Sequence, residues 1–416
     1  MLRDDIEDRF DEDSNGFLAP DYDQYCYSNI PATMLSLVGG DTSGPTLPDD
    51  VFTGIDTDRD IVVFLLIDGF GYQHWKQYGQ DHDFFASVTE HGTVTPLTTV
   101  FPSTTSATIT TINTGLTPQQ HGLPEWTVYC EEYGQTILSL PFTTVDGEPL
   151  APFHDVDGLF DGGTVYHDLP DDVDAVAFQG EDIAGSPYSG KALDGADVRP
   201  YYALADLGVQ LRDEIEQGGT KYIYAYASHL DAVNHRYGPN TDAHQAIMAE
   251  IGSVLQRELV DELDEADASD VLLCISADHG HVNVDPEATV DLLSIDGLEG
   301  RLAEDEHGDP ILPTGSPRDV FLHVKDGEID ATIELLQDEL DAVVMRTEDA
   351  LEQGLFGRGE ASETFKRRIG DVLIMPRDGD TVWFEDGEFA YLGHHGGRTR
   401  EEMLVPFAAV GLDELQ

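Results

Sequence analysis

An α/β fold with a mostly parallel central sheet follows from three apolar runs and from what separates them. Ile61–Ile67 (IVVFLLI), Lys221–Ala227 (KYIYAYA) and Val271–Ala277 (VLLCISA) are short, largely apolar and rich in β-branched or aromatic residues. Runs of this kind read as strands buried on both faces, as the inner strands of a parallel sheet are. Between them lie segments of helical periodicity, among them Tyr201–Gln217 and residues 241–266. Strands alternating with helices predict three layers, with the sheet in the middle.

Taken in order, residues 1–58 are polar and acidic and read as an N-terminal wrap over the main domain, with a helix near Tyr22–Leu37. The first apolar run ends at Asp68-Gly69. Open α/β sheets place functional groups at the C-terminal ends of such strands, although Asp68 could equally cap a following helix, Phe70–Tyr78. A strand at Val94–Val100 leads into Phe101–Gly122, FPSTTSATITTINTGLTPQQHG. This stretch predicts a Pro-containing turn, a helix over Thr105–Thr114 and a stop at Gly115. Thr104 and Thr105 then fall at a helix N-terminus, where free N–H groups and the helix dipole favour an anion. A hydroxyl there either caps the helix or attacks a phosphorus.

Residues 128–200 are loop-rich, with short strands expected at Thr127–Tyr133 and Val173–Phe178, and cover one side of a cleft. After KYIYAYA comes SHLDAVNHRYGP, in which Asp231 and His235 stand four residues apart. On one helical turn or loop such a pair ligates a metal; a surface ion pair is the plainer reading. The third apolar run delivers Asp278-His279-Gly280-His281, where Gly280 lets Asp278 and His279 converge on one ion; His281 receives no role. Residues 285–370 read as an inserted α/β cap, with strands at Val320–Val324 and Ala342–Met345 and helices at Ile329–Leu340 and Thr347–Leu355. Asp371–Met375 returns as a strand, YLGHHGG (Tyr391–Gly397) presents a Gly-flanked histidine pair, and Val405–Val410 reads as the last strand. The catalytic domain is then expected over 59–284 and 371–416.

Charge excludes several classes. The 416 residues carry 21 Lys+Arg against 82 Asp+Glu, a formal charge of −61. With 40% hydrophobic residues and 37 aromatic ones, disorder does not explain this acidity. Acid spread over a folded chain suits high salt, where self-repulsion is screened, so the chain reads as halophilic. A nucleic-acid groove would need Lys and Arg that are not there; none occurs between residues 77 and 190. Three scattered cysteines without a CxxC predict no disulfide framework. The acidic N-terminus does not resemble a secretory signal, and no apolar run reaches the roughly 18 residues that span a bilayer. The expected location is the cytoplasm, with no membrane partner.

Each strand end thus carries one piece of a constellation: Asp68, Thr105, Asp231 with His235, Asp278-His279, and a histidine of GHHGG. Six O/N ligands divide into two three-ligand sites for divalent ions. A pair of ions about 4 Å apart clamps the attacking and leaving oxygens of an in-line displacement, and a hydroxyl beside one of them becomes a nucleophile at neutral pH. At this point the chain resembles the alkaline phosphatase superfamily, and within it the nucleotide pyrophosphatase/phosphodiesterase branch. IDGFG, FPSTTSATITTINTGLTPQQHG, DAVNHRYGP, SADHG and GHHGG carry the resemblance, in the family's order.

The resemblance implies the αβα alkaline-phosphatase-like fold, two divalent ions, zinc by family expectation with manganese suited to the same ligands, and a small phosphorylated substrate such as a nucleotide. It implies Thr105 as the nucleophile forming a covalent phospho-enzyme, with Asp68, Asp278 and His279 holding the first ion and Asp231, His235 and His395 the second. Thr105 is preferred to Thr104, and His395 to His394, from motif alignment. The family often has Asn three residues beyond the nucleophile, binding a phosphoryl oxygen; Thr108 stands there. Phosphodiesters or phosphoanhydrides are the expected substrates. Phosphomonoesters, which would draw on Arg236 or Arg398 as an extra cation, phosphonates, and a non-catalytic metal-binding role are the alternatives.

Overall fold

The computed structural model describes residues 1–42, 44–384 and 390–416. Its centre is a seven-stranded sheet in the order Thr93–Thr98, Leu404–Gly411, Val271–Ser276, Ile61–Ile67, Lys221–Ala227, Asp174–Gly180, Asp197–Tyr201. The last five run parallel to one another. Leu404–Gly411 is antiparallel to both its neighbours. The three runs that predict the fold are buried over their whole length, as two-sided coverage requires. Helices Tyr72–Tyr78, Asp83–His91, Leu204–Ile215 and Asp242–Leu255 gather on one side, and Ile30–Leu37, Thr105–Thr114 and Pro187–Ala192 on the other. The architecture is therefore the three-layer α/β fold predicted.

A second sheet of seven strands is antiparallel throughout. Its order is Ala342–Arg346, Val372–Pro376, Asp319–Leu322, Thr314–Ser316, Thr127–Cys130, Gln135–Leu138, Thr143–Thr144. The strand expected to return at 371–375 belongs here rather than to the main sheet. Its apolar residues split between two smaller cores, with Val372 and Ile374 in one and Leu373 and Met375 in the other. Residues from the 285–370 stretch thus share a sheet with strands from 127–144 and 372–376.

The acidic N-terminal stretch lies against the edge strand of the main sheet. The Arg3 N–H donates to the Val94 carbonyl, and Cys26 bridges to Thr98. Phe17, Leu18, Tyr27 and Met34 are buried there. The three cysteines are free and buried. Among the described residues no helix is long and apolar enough to cross a membrane.

Candidate active site

Three adjacent parallel strands bring the motifs to one edge. Val271–Ser276, Ile61–Ile67 and Lys221–Ala227 pair in register, so Asp278, Asp68 and the helix His229–Tyr237 follow at neighbouring strand ends. Two glycines make the packing possible. Gly69 has φ +73°, and a Cβ there would stand 3.0 Å from Cδ2 of His281. At Gly280 a Cβ would lie 1.9 Å from the Glu401 carbonyl oxygen, so only glycine lets that loop approach.

The first group is built on carboxylates. Asp278 is fully buried; its Oδ1 accepts the N–H groups of Gly69 and His279, each at 3.0 Å. The His279 Nδ1–H donates to the Gly280 carbonyl at 3.0 Å, which leaves the Nε2 lone pair facing inward. That nitrogen is 3.1 Å from Oγ1 of Thr105, 3.3 Å from Oδ2 of Asp278 and 3.4 Å from Oδ1 of Asp68. The Tyr226 hydroxyl donates to Asp68 Oδ2, while the buried Oδ1 accepts no hydrogen bond among the described residues. Burial and then the Asp278 charge push the Asp68 carboxyl well above its usual range. An orphaned carboxylate oxygen opposite an imidazole lone pair is what a cation site leaves when only protein atoms are counted.

Thr105 opens the helix Thr105–Thr114 and is half-buried. Thr104 is 2% exposed and turns its hydroxyl to the Pro124 carbonyl at 3.3 Å, so Thr105 presents the accessible hydroxyl of the pair. Thr108 is fully buried, and its hydroxyl is engaged with the Thr104 carbonyl at 2.8 Å and with Asp278 Oδ2 at 3.4 Å. Through that second contact it braces Asp278 from the helix.

The second group is built on imidazoles. Asp231 Oδ1 lies 2.8 Å from His281 Nε2, 3.4 Å from His235 Nε2 and 3.7 Å from His395 Nε2. His235 donates its Nδ1–H to the Gly393 carbonyl at 2.9 Å, and His395 to the Ser103 carbonyl at 3.0 Å; each thereby points Nε2 at Asp231. Burial raises the Asp231 carboxyl, but His235, His281 and His395 together outweigh it and hold the group well below its ordinary range. Burial, and then the His279 ring stacked 3.5 Å away, push the His395 imidazole well below its ordinary range. Burial also lowers His281 to about 4. His394 pairs by its backbone with Val282, its ring 5.5 Å from that of His235.

The His395 loop is held from two sides. The Ser103 hydroxyl donates to the Gly397 carbonyl at 2.7 Å, which zips this loop to the turn that carries Thr105. The Gly397 N–H donates to Glu402 at 3.0 Å, and Glu402 is gripped by Arg318 through two bonds of 2.9 Å, both side chains fully buried. Arg318 sits in the turn between two strands of the second sheet, so that sheet braces a loop of the main one.

Ligand atoms of Asp68, Asp278 and His279 all lie within 4.8 Å of one another, as do those of Asp231, His279, His281 and His395. His279 belongs to both groups, which therefore adjoin. His235 reaches this assembly through Asp231. The reading of the sequence brought every one of these residues forward except His281, whose signal was a second imidazole two positions past His279. Of the two arginines considered for monoesters, Arg398 is buried, donates to the Leu18 carbonyl and lies over the Phe17 and Phe101 rings. Arg236 is exposed against Tyr237.

The profile of the type I phosphodiesterase / nucleotide pyrophosphatase family matches residues 62–398. The chain belongs to that family. A search of curated proteins finds no match. Among solved structures the chain is similar to murine ectonucleotide pyrophosphatase/phosphodiesterase 5, with TM-score 0.64 and 14% identity over 84% of this chain and 88% of that one. An inactive threonine-to-alanine variant of the murine protein in complex with AMP superposes with TM-score 0.63 at 14% identity, over the same shares. The human counterpart gives 0.59 at 17%, over 84% of this chain and 87% of that one. The fold is thus alkaline-phosphatase-like, of the nucleotide pyrophosphatase/phosphodiesterase branch. The chain is a hydrolase of the phosphodiesterase/pyrophosphatase type, in a family that typically depends on divalent metals.

Proposed function

We propose that this protein hydrolyses phosphodiester or phosphoanhydride bonds of small phosphorylated molecules, nucleotides among them, through a covalent phosphothreonine at Thr105. Two divalent ions are assigned, one to Asp68, Thr105, Asp278 and His279 and one to Asp231, His235 and His395. The observation that carries this reading is the half-buried Thr105, at a helix N-terminus with its hydroxyl 3.1 Å from His279 Nε2, beside an Asp68 Oδ1 that accepts no hydrogen bond among the described residues. When bound, such ions lower the pKa of a hydroxyl or water and neutralise phosphoryl oxygens.

The chain's own residues do the rest. Thr105 Oγ1 attacks phosphorus and the ester oxygen leaves; water then displaces Thr105 and restores the hydroxyl. Free N–H groups on the first turn of the Thr105–Thr114 helix face the phosphoryl oxygens. His279 Nε2, 3.1 Å from the Thr105 hydroxyl, would hold the ion beside that hydroxyl and so fix where it sits. A diester fits better than a monoester, whose dianion asks for another cation, because Arg398 is committed to Leu18. The AMP complex of the murine relative supports a nucleotide. Zinc suits the imidazole-rich ligands, and manganese the carboxylates.

Thr105→Ala tests the proposal. Turnover of a chromogenic diester should fall by on the order of 10³-fold or more, while intact-mass analysis of wild-type enzyme quenched during turnover finds the adduct on Thr105. Undiminished turnover, or an adduct on Thr104, would overturn it.

A further inference from the structure

Asp231 faces one imidazole more than a three-ligand site uses. His281 Nε2 is the nearest of the three to Asp231 Oδ1, at 2.8 Å against 3.4 and 3.7 Å for His235 and His395. The His281 ring lies 5.0 Å from the His235 ring and 5.1 Å from the His395 ring. Its side chain is 0% exposed, so it is not one half of a surface ion pair. Nor does a hydrogen bond to Asp231 account for the arrangement. One carboxylate oxygen offers two lone pairs, yet three Nε2 atoms converge on it. Two of these are fixed as lone-pair carriers by Nδ1–H bonds to Gly393 and Ser103. Lone pairs turned towards a carboxylate repel it unless a cation lies between them. The fold also makes room for this ring: a Cβ on Gly69 would stand 3.1 Å from His281 Nε2.

We infer that His281 is a direct ligand of the second ion, so that Asp231, His235, His281 and His395 give it four protein donors. The inference rests on the two-ion reading proposed above. Four donors complete the tetrahedral set zinc prefers, whereas three leave a position open. The second ion of this protein is then held as a nearly closed site, retained more tightly than the first against a chelator.

The test uses the full chain stripped with chelator and reloaded with Co(II), whose visible absorption reports coordination number. His281→Gln can keep an amide donor near the Nε2 position facing Asp231 but removes the imidazole, and His281→Asn serves where the Gln variant fails to fold. Wild type should bind two Co(II) per chain. Either His281 variant should bind the second at least about tenfold more weakly, with a weaker visible band as water replaces a ligand. Asp68→Asn should lose the first ion and keep the band that the His281 variants alter. If wild type binds two ions and the His281 variants leave affinity and band unchanged, His281 is only a hydrogen-bond partner of Asp231; the inference then fails and the two-ion reading stands. A wild type that binds fewer than two overturns both.

Discussion

The two halves of the site share one edge of one sheet and are built in opposite ways. Asp68, Asp278 and His279 are almost wholly buried, and two of the three are carboxylates; burial, and then the Asp278 charge, raise Asp68. Asp231, His235, His281 and His395 are one carboxylate among imidazoles, which pull Asp231 down. The first half sits directly on central strands; the second sits on a helix and loops, and reaches the second sheet through Glu402 and Arg318. The contrast teaches that two ligand groups at one sheet edge can differ in charge and in burial. The buried, carboxylate-rich half holds His279 Nε2 3.1 Å from the Thr105 hydroxyl, whereas the imidazole-rich half keeps Asp231 and His235 partly in contact with water.

The comparison breaks most sharply if removal of either half has the same kinetic effect. Asp231→Asn should cut steady-state turnover by about 10²- to 10⁴-fold yet leave a stoichiometric first burst, because Thr105 still attacks and the adduct accumulates. Asp68→Asn should abolish the burst itself. Rapid-quench measurement of released leaving group separates these outcomes, and a burst in both variants would erase the division of labour.

A smaller effect sharpens the account of the first half. Tyr226→Phe removes the hydroxyl that holds Asp68 Oδ2 while keeping the ring in place. Affinity for the first ion should weaken by about 10- to 100-fold, with the second ion unaffected in the same titration.

The smallest effect concerns the helix that carries Thr105. His121 is buried beneath it, with Nε2 3.2 Å from the Ala107 carbonyl and Nδ1 accepting the Leu123 N–H at 3.1 Å. Burial lowers its pKa to about 3 from an ordinary 6.5. Below pH 6.5 the unfolded chain takes up a proton that the fold refuses. Its contribution is therefore complete above that pH and is lost progressively as pH falls from 6.5 towards 3, by up to about 1.4 kcal/mol per unit. Denaturant titrations at pH 7.5 and 5 should show this loss. His121→Gln, less stable at neutral pH, should flatten the slope; an unchanged slope would mean that His121 does not titrate in this way.

How much of this was legible in the sequence follows from what each residue contacts. IVVFLLI and VLLCISA are buried on both faces, so composition alone announced them, and the ligands stand where those runs stop. The helix Thr105–Thr114 has the bounds its punctuation predicted. Asp197–Tyr201 escaped notice because DVRPY, on the sheet's edge, carries charge and proline where a central strand could not. The pairing of Val372–Pro376 with strands on both sides depends on contacts distant in sequence, which periodicity does not encode. His281 was visible as a residue but not as a participant, since its place is defined by Asp231, fifty positions earlier. Spacing placed Thr108 on the site's helix but could not show that its hydroxyl bonds the Thr104 carbonyl and reaches Asp278.

Anomalous diffraction from crystals grown with zinc tests the central claim most directly. The account predicts two peaks about 4 Å apart, one between Asp68, Asp278, His279 and Thr105, the other among Asp231, His235 and His395. A single peak, or a pair elsewhere in the molecule, would contradict it.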